Sequence, residues 1–330
     1  MFDEIVLPLD QSALAECVFP HAVAIAQAYG SKIVLLHVKE PVDASSIAPC
    51  PDPFDWQAGI FRANQYLDKT ANRLREARLG VETCIEEGRP ADRIVAFAGA
   101  HPDALILLSS HGRSGLKGWT ISSVVQKVAL RSRASVMIVP AYQPSVDEIA
   151  GLHYRRILVP VDGSARSNYV LPFAKAIAQS QNAELLLVHV LPCPEIFCPG
   201  LTRPSDLAMV HRILEHNREE VQGHLDNILS WMTGDVRARF CLITGEGSVP
   251  ACLHEAADQY QADLVILNAH GYSGSPKNPY GSVALHFLFY GNHPLLMIQD
   301  FPGDQIGFNR AESVSGEIEG NYRMLQFLAS

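Results

Sequence analysis

The sequence repeats itself, and a repeat of this size limits the fold to whatever one copy can build twice. Residues 4–12, EIVLPLDQS, match 156–164, RILVPVDGS, and KIVLLHVKEP from Lys32 matches ELLLVHVLPC from Glu184 at the same offset. ILLSSHGRSG from Ile106 matches VILNAHGYSG from Val265, and ASVMIVP ending at Pro140 matches HPLLMIQ ending at Gln299, both at an offset seven residues longer. One insertion between the second and third apolar runs accounts for the change, so the chain is a tandem duplication. With 330 residues, each copy is long enough to bury its own core. The expected organisation is a first domain over 1–141, a linker over 142–153, a second domain over 154–300 and a tail over 301–330. The tail shows no clear period until YRMLQFLA.

Within each copy, apolar runs of strand length alternate with stretches of helical period. In the first copy Ile5–Leu9, Ile33–Val38, Val81–Glu87, Ala104–Leu108 and Val136–Val139 read as strands. Gln11–Tyr29, Phe54 to about Arg78, Ala91–Gly99 and a segment from Ser122 read as helices, with a proline-rich loop from Pro41 to Pro53. The second copy places strands near 157–161, 185–190, 236–242, 263–268 and 295–299. Nearly continuous apolar strands joined by helical crossovers predict an α/β fold: two doubly wound parallel sheets of five strands each, covered on both faces.

Composition narrows the function classes. The net charge of −9 argues against a general nucleic-acid or anionic-membrane binder, and no run approaches the roughly 20 apolar residues of a membrane span. The opening MFDEIVLPLD has no basic n-region before an apolar h-region, so no secretory signal is expected. Seven cysteines without CxxC spacing point to reduced thiols in a cytoplasmic protein, and Cys50, Cys193 and Cys198 fit no zinc pattern. No metal site is expected.

Ligands of open parallel sheets sit beyond the carboxyl ends of the strands at the topological switch point. Three features of each copy fall there. Pro8-Leu9-Asp10 and Pro160-Val161-Asp162 end the first strand, and their carboxylates suit ribose hydroxyls. Val38 and Val190 follow His37 and His189, where extended backbone can meet an adenine edge. The third feature is a glycine-containing loop leading into a helix, which offers backbone N–H groups and a positive helix end to a phosphate.

With these residues in place, the chain resembles the universal stress proteins, in a form with two tandem domains, over roughly 1–140 and 154–300. Its domains would then be Rossmann-like, of the adenine nucleotide α-hydrolase type. The ATP-binding members carry Gly-x2-Gly-x9-Gly-Ser/Thr. Asn268, Gly271, Gly281 and Ser282 match this except at the first glycine, whereas Ser109, Gly112, Ser122 and Ser123 keep the second glycine and the hydroxyl. The resemblance implies that Gly271, Gly281, Ser282 and Val283 hold phosphates, that Asp162 and Asn268 meet ribose, and that Pro160 and Val190 frame adenine. The equivalent first-copy set is Pro8, Asp10, Val38, Ser109, Gly112, Ser122, Ser123 and Val124. It also implies ATP as ligand, with other adenine nucleotides and an accompanying Mg ion as alternatives, and a non-enzymatic regulatory role in stress response. The last strands would pair antiparallel within the chain, with further assembly as a homodimer.

Several residues have plainer readings. Ser122 in place of glycine adds a Cβ beside the phosphates and narrows φ/ψ choice, which ranks the second copy ahead of the first. Asn268 and Ser109 supply the family's amide if their side chains find room, and Lys277 in the second loop can reach a phosphate. His111 and His270 have no evident carboxylate partner in sequence and read as structural loop residues; His37 and His189 read as satisfied by backbone. Asp10 and Asp162 compete with Ser12 and Ser164 as helix N-caps. Tyr280, Phe287, Phe289 and Tyr290 read as core. Two other functions stay open: an interaction module of the same fold that binds no nucleotide, and a slow ATPase. A transferase or synthetase of the related scaffold would need HxGH or SGGxDS after strand one, where LPLDQS and VPVDGS stand.

Overall fold

A computed structural model of the chain describes residues 1–41, 53–112, 121–142, 152–192, 204–232, 234–245, 247–271 and 280–300. The readings placed on residues 42–52, on Cys193 and Cys198, on Lys277 and on the 301–330 tail lie outside these residues, as does most of the linker. The first copy runs β1 (Glu4–Pro8), a 3₁₀ turn (Ala15–Val18), α1 (Phe19–Tyr29), β2 (Lys32–Lys39), α2 (Pro53–Arg75), β3 (Val81–Glu87), α3 (Pro90–Ala100), β4 (Ala104–Ser109), α4 (Ser123–Arg131) and β5 (Ser135–Val139). The second runs β6 (Arg156–Pro160), α5 (Ala165–Asn168), α6 (Leu171–Gln181), β7 (Glu184–Pro192), α7 (Pro204–Met232), β8 (Arg237–Gly245), α8 (Val249–Gln259), β9 (Leu264–Asn268), α9 (Ser282–Tyr290) and β10 (Leu295–Ile298).

All ten strands join one sheet in the order β3-β2-β1-β4-β5-β10-β9-β6-β7-β8. Each copy therefore has the doubly wound order 3-2-1-4-5, in which the chain reverses direction between its first and fourth strands. The copies meet where β5 and β10 pair antiparallel, Leu295 opposite Ile138, Leu296 opposite Met137 and Met297 opposite Val136. This pairing removes two apolar edges that would otherwise template aggregation. Because it is antiparallel, the carboxyl ends of the two copies' strands, and with them the candidate sites, face opposite rims of the sheet.

Alternation along the strands sends side chains to two cores that each run across both copies. On one face Ile5, Leu7, Ile33, Leu35, Leu105 and Met137 share a cluster with Ile157, Leu185, Leu187 and Leu296. On the other, Val6, Ile106, Val136 and Ile138 pack with Leu158, Val265, Leu267 and Met297. Helices α1 and α6 close the first face: the Phe2, Tyr29 and Phe173 rings meet there, Tyr29 donating its hydroxyl hydrogen to the Phe173 carbonyl at 3.0 Å. His21 of α1 is bonded to the hydroxyl of Tyr154 at 2.7 Å, both buried, which fastens the entrance of the second copy to the first.

The expected single helix over Gln11–Tyr29 is split. Pro20 has no N–H to offer the preceding turn, and Phe19 instead bonds to the Glu16 carbonyl, ending a short 3₁₀ segment before α1 begins. The burial pattern runs through the break, since Ala15, Cys17, Val18 and Phe19 are all buried. That continuity is why periodicity alone reads one helix. Tyr280 and Phe287 are core residues as expected, but Tyr290 is 70% exposed at the last position of α9.

Candidate functional site

The first-copy site forms at the switch point between β1 and β4. A cleft of about 650 Å³ opens there, and its walls include Pro8, Asp10, Val38, Ser109, Gly112, Ser122, Ser123 and Val124, so the whole predicted first-copy set surrounds one space. Among the other lining residues, Gln11, Lys39, Glu40 and Arg62 are polar or charged groups that sequence reasoning missed. Lys39 and Arg62 bring two cations to the rim, and the Lys39 ammonium lies 5.3 Å from the Trp56 ring centroid. Arg62 comes from the polar face of α2, where an arginine carries no sequence signal of a site.

Each aspartate is fixed by the loop that follows it. Oδ1 of Asp10 accepts from the Ser12 amide at 3.0 Å, and Oδ1 of Asp162 accepts from the Ser164 amide at 2.9 Å. Ser12 Oγ then closes the following turn, accepting from Ala15 N at 3.2 Å, and Ser164 caps α5, its Oγ accepting from Ser167 N at 3.0 Å. The aspartates are therefore turn residues and not helix caps. The second oxygen of each faces the phosphate loop: a Cβ built on Gly112 would collide with Oδ2 of Asp10, and one on Gly271 with Oδ2 of Asp162. At these two positions a side chain would push the carboxylate away from the loop.

The loop residues that depart from the family pattern are built into the structure. The Ser109 hydroxyl donates to the His111 carbonyl at 2.8 Å, and the Asn268 amide donates to the His270 carbonyl at 2.9 Å. Both side chains are buried, and each shapes the chain two residues downstream. The backbone part of the objection to Ser122 falls away. Ser122 has φ −63° and ψ 154°, and Gly281 has φ −74° and ψ 170°, extended values open to any residue. Both also make the same loop bond, Ser122 N to Ser110 O at 2.9 Å and Gly281 N to Ala269 O at 2.7 Å. Ser122 adds a cap, its Oγ accepting from Val125 N at 3.4 Å. The amides of Ser123 and Val124, and of Ser282 and Val283, stand in first helical turns, beyond reach of any carbonyl of their own helix. Ser123 and Ser282 are exposed.

The histidines divide. His37 Nδ1 donates to the Leu9 carbonyl at 2.7 Å and His189 Nδ1 to the Val161 carbonyl at 2.9 Å, as expected. His270 departs from expectation: its Nδ1 lies 2.6 Å from Oδ1 of Asp300, whose Oδ2 is 3.5 Å from Arg166 Nε. In the first copy Ala141 occupies the place of Asp300, and the Ser110 hydroxyl lies 3.0 Å from His111 Nδ1 instead. The carboxylate partner is 30 residues away in sequence. In the second copy Pro160 ends β6, Val190 lies buried in β7 and Asn268 ends β9. Asp162 stands against Gly271 as Asp10 does against Gly112, and Gly281, Ser282 and Val283 open α9 as Ser122, Ser123 and Val124 open α4. Burial lowers the pKa of His189 and of His224, which lies beside it on α7. Among the described residues no group of three or more His, Cys, Asp or Glu side chains is arranged to hold a metal ion, and no helix is long and apolar enough to cross a membrane.

Two doubly wound units, each with an aspartate facing a glycine loop, define a tandem Rossmann-like protein. The chain belongs to the universal stress protein family, whose profile matches residues 1–140 and 153–299. A universal stress protein of Methanocaldococcus jannaschii, MJ0531, is 26% identical over 143 residues, covering 42% of this chain and 82% of that protein. YxiE of Bacillus subtilis is 28% identical over 147 residues, covering 42% of this chain and 99% of its own. Over the full tandem length the fold matches a universal stress protein of Archaeoglobus fulgidus, with TM-score 0.62, 16% identity, and 90% and 98% of the two chains covered. It also matches a protein of unknown function from Pseudomonas aeruginosa, with TM-score 0.63, 15% identity, and 96% and 98% covered.

Proposed function

We propose that this protein binds adenine nucleotides, ATP foremost, at both crevices and acts as a regulatory stress-response protein whose partners read its occupancy. The observation that carries the reading is the convergence of all eight first-copy residues on one cleft of a size that suits a nucleotide. Pro8 and Val38 would flank the base, Asp10 would accept from ribose, and Gly112 with the Ser122–Val124 helix start would take the phosphates. Lys39 and Arg62 favour a polyanion electrostatically, and an accompanying Mg ion would be held mainly by the phosphates. The protein is read as cytoplasmic and as a homodimer, and not as a catalyst.

Thermal unfolding tests this reading directly. A ligand at 100 times its Kd adds about 2.7 kcal/mol per site. ATP should therefore raise the melting temperature at millimolar concentration, and the shift should shrink in Asp10→Ala and in Asp162→Ala. No shift with ATP, ADP or AMP, with or without Mg, would support the interaction-module alternative. Slow hydrolysis at the second loop is a second reading, favoured by the His270–Asp300 contact at 2.6 Å, because a carboxylate that orients an imidazole is how a general base is held. Phosphate release that falls in Asp300→Asn while binding persists would establish it.

A further inference from the structure

The first crevice carries two cations on the wall across from its phosphate loop. In the sheet order β2-β1-β4 the end of β2 stands two strand spacings, about 10 Å, from the end of β4, and Asp10 follows β1 between them. Lys39 closes β2, and its ammonium reaches still further from the loop, toward α2, which packs on β2 and β3. There it lies 5.3 Å from the Trp56 ring centroid and against the backbone of Gly59, where an added Cβ would stand 2.7 Å from Nζ. Glycine at this point of α2 is what admits the ammonium. Arg62, three residues on, lines the same cleft and donates from Nε to the Ala58 carbonyl at 3.3 Å. Among the described residues neither cation forms an ion pair with a carboxylate, and Glu40, the acidic residue next to Lys39 in the lining, is exposed.

The second copy has none of these parts. Leu191, buried, stands where the repeat puts Lys39. Leu225, Ile228 and Met232 of α7 are buried as Leu67, Thr70 and Leu74 of α2 are, and this register sets Asn217 opposite Gly59 and Glu220 opposite Arg62. One wall has two positive charges; its counterpart has an apolar residue and a carboxylate. A 5′-phosphate chain held by Gly112 and the start of α4 lies on the β4 side of Asp10, so it does not account for cations gathered beyond β2. Adenine is uncharged at neutral pH. The anion that fits this wall is a phosphoryl group on the ribose, as an arginine near the ribose accommodates a 2′-phosphate in dinucleotide folds.

Resting on the nucleotide reading above, we propose that the first crevice selects adenine ribonucleotides phosphorylated on a ribose hydroxyl as well as at the 5′ position, with Lys39 and Arg62 as its specificity-determining residues. One ribose hydroxyl donates to Asp10, and the other carries its phosphoryl group toward α2, where the guanidinium and the ammonium supply charge-assisted hydrogen bonds. The second crevice, with Leu191 and Glu220 at the matching positions, takes nucleotides with an unmodified ribose. The two copies thus divide adenine nucleotides by the state of the ribose.

The test is calorimetric titration of the full chain carrying Asp162→Ala, which silences the second crevice, with AMP, adenosine 2′,5′-bisphosphate and adenosine 3′,5′-bisphosphate. One of the bisphosphates should bind about tenfold more tightly than AMP, the effect of one charge-assisted contact. Lys39→Met and Arg62→Met should each lower that ratio, and together they should bring it to about one. Gly59→Ala keeps both charges and favours the helix, yet its methyl displaces the Lys39 ammonium, so it too should lower the ratio. In the Asp10→Ala chain, which leaves the second crevice, the ratio should be about one or below. Bisphosphates that bind no better than AMP to the Asp162→Ala chain, the same preference in both crevices, or a ratio unmoved in the double methionine variant would each overturn the proposal. If that double variant misfolds, Gly59→Ala decides, and an unchanged ratio there overturns it. Absence of any binding of ATP, AMP or either bisphosphate to the Asp162→Ala chain would instead overturn the nucleotide reading of this crevice, and this inference with it.

Discussion

Replacing Gly112 by alanine places a methyl group against the Asp10 carboxylate, the built Cβ lying 3.1 Å from Cγ and nearer still to Oδ2. Ordinary contact at about 3.5 Å or more requires the carboxylate oxygen to retreat by about 1 Å. The obstacle is the end of a partly exposed side chain and not backbone, so the fold should lose no more than about 1 kcal/mol. The site should lose much more. Asp10 would give up its position over the cleft, and a hydrogen bond to a charged acceptor contributes about 1.5–3 kcal/mol, or roughly 10- to 100-fold in ATP affinity. Calorimetric titration in an Asp162→Ala background, with melting measured in parallel, separates the two effects. Gly271→Ala, measured with Asp10→Ala, should follow with a smaller loss, since its Cβ stands 3.4 Å from Asp162 Cγ. A folded Gly112→Ala chain that binds ATP within about twofold of its parent would refute the placement of Asp10 over the ligand.

Acid should weaken the joint between the copies, because burial pushes the pKa of His21 down to about 4. The unfolded chain takes up that proton below about 6.5 while the folded chain refuses it, so stability intact above this pH falls by up to about 3 kcal/mol as pH approaches 4. Urea titrations across that range should show the slope in the wild type and a smaller one in His21→Gln. Leu296→Ala in β10, fully buried where the copies share the sheet, should cost about 2–5 kcal/mol and still give one cooperative transition; two resolved transitions would show that the copies fold independently. Gly281→Ser should be tolerated and stabilise α9 by a few tenths of a kcal/mol, since the backbone is extended and a Cβ meets nothing nearer than 3.6 Å; a lowered melting temperature would contradict this.

The duplication made the architecture legible, because one alternation of apolar runs, seen twice, gives the order of elements along the chain and the doubly wound class, while the spatial strand order shows only in the structure. The first crevice was legible for the same reason, since Pro8, Asp10, Val38 and the loop residues all stand at strand ends. What stayed hidden depends on distance in sequence or on backbone conformation. His270 meets Asp300 across 30 residues, and nothing in a terminal Gln-Asp pair announces a partner for a loop histidine. The break before α1 leaves the buried periodicity intact and shows only in the missing N–H of Pro20. Gln11 and Gly163 look like an ordinary difference between repeats until their shared left-handed turn is seen. Ser122 stands where the family pattern has glycine, yet its extended backbone makes no demand for one.

Nucleotide stoichiometry tests the two crevices most directly. The purified chain, saturated with ATP, freed of excess and denatured, should release close to two adenine nucleotides per chain by chromatography. That count should fall to about one in either Asp10→Ala or Asp162→Ala and to none in the double variant. Release of no nucleotide from the wild type, or a count unchanged in the double variant, would contradict the paired-crevice account.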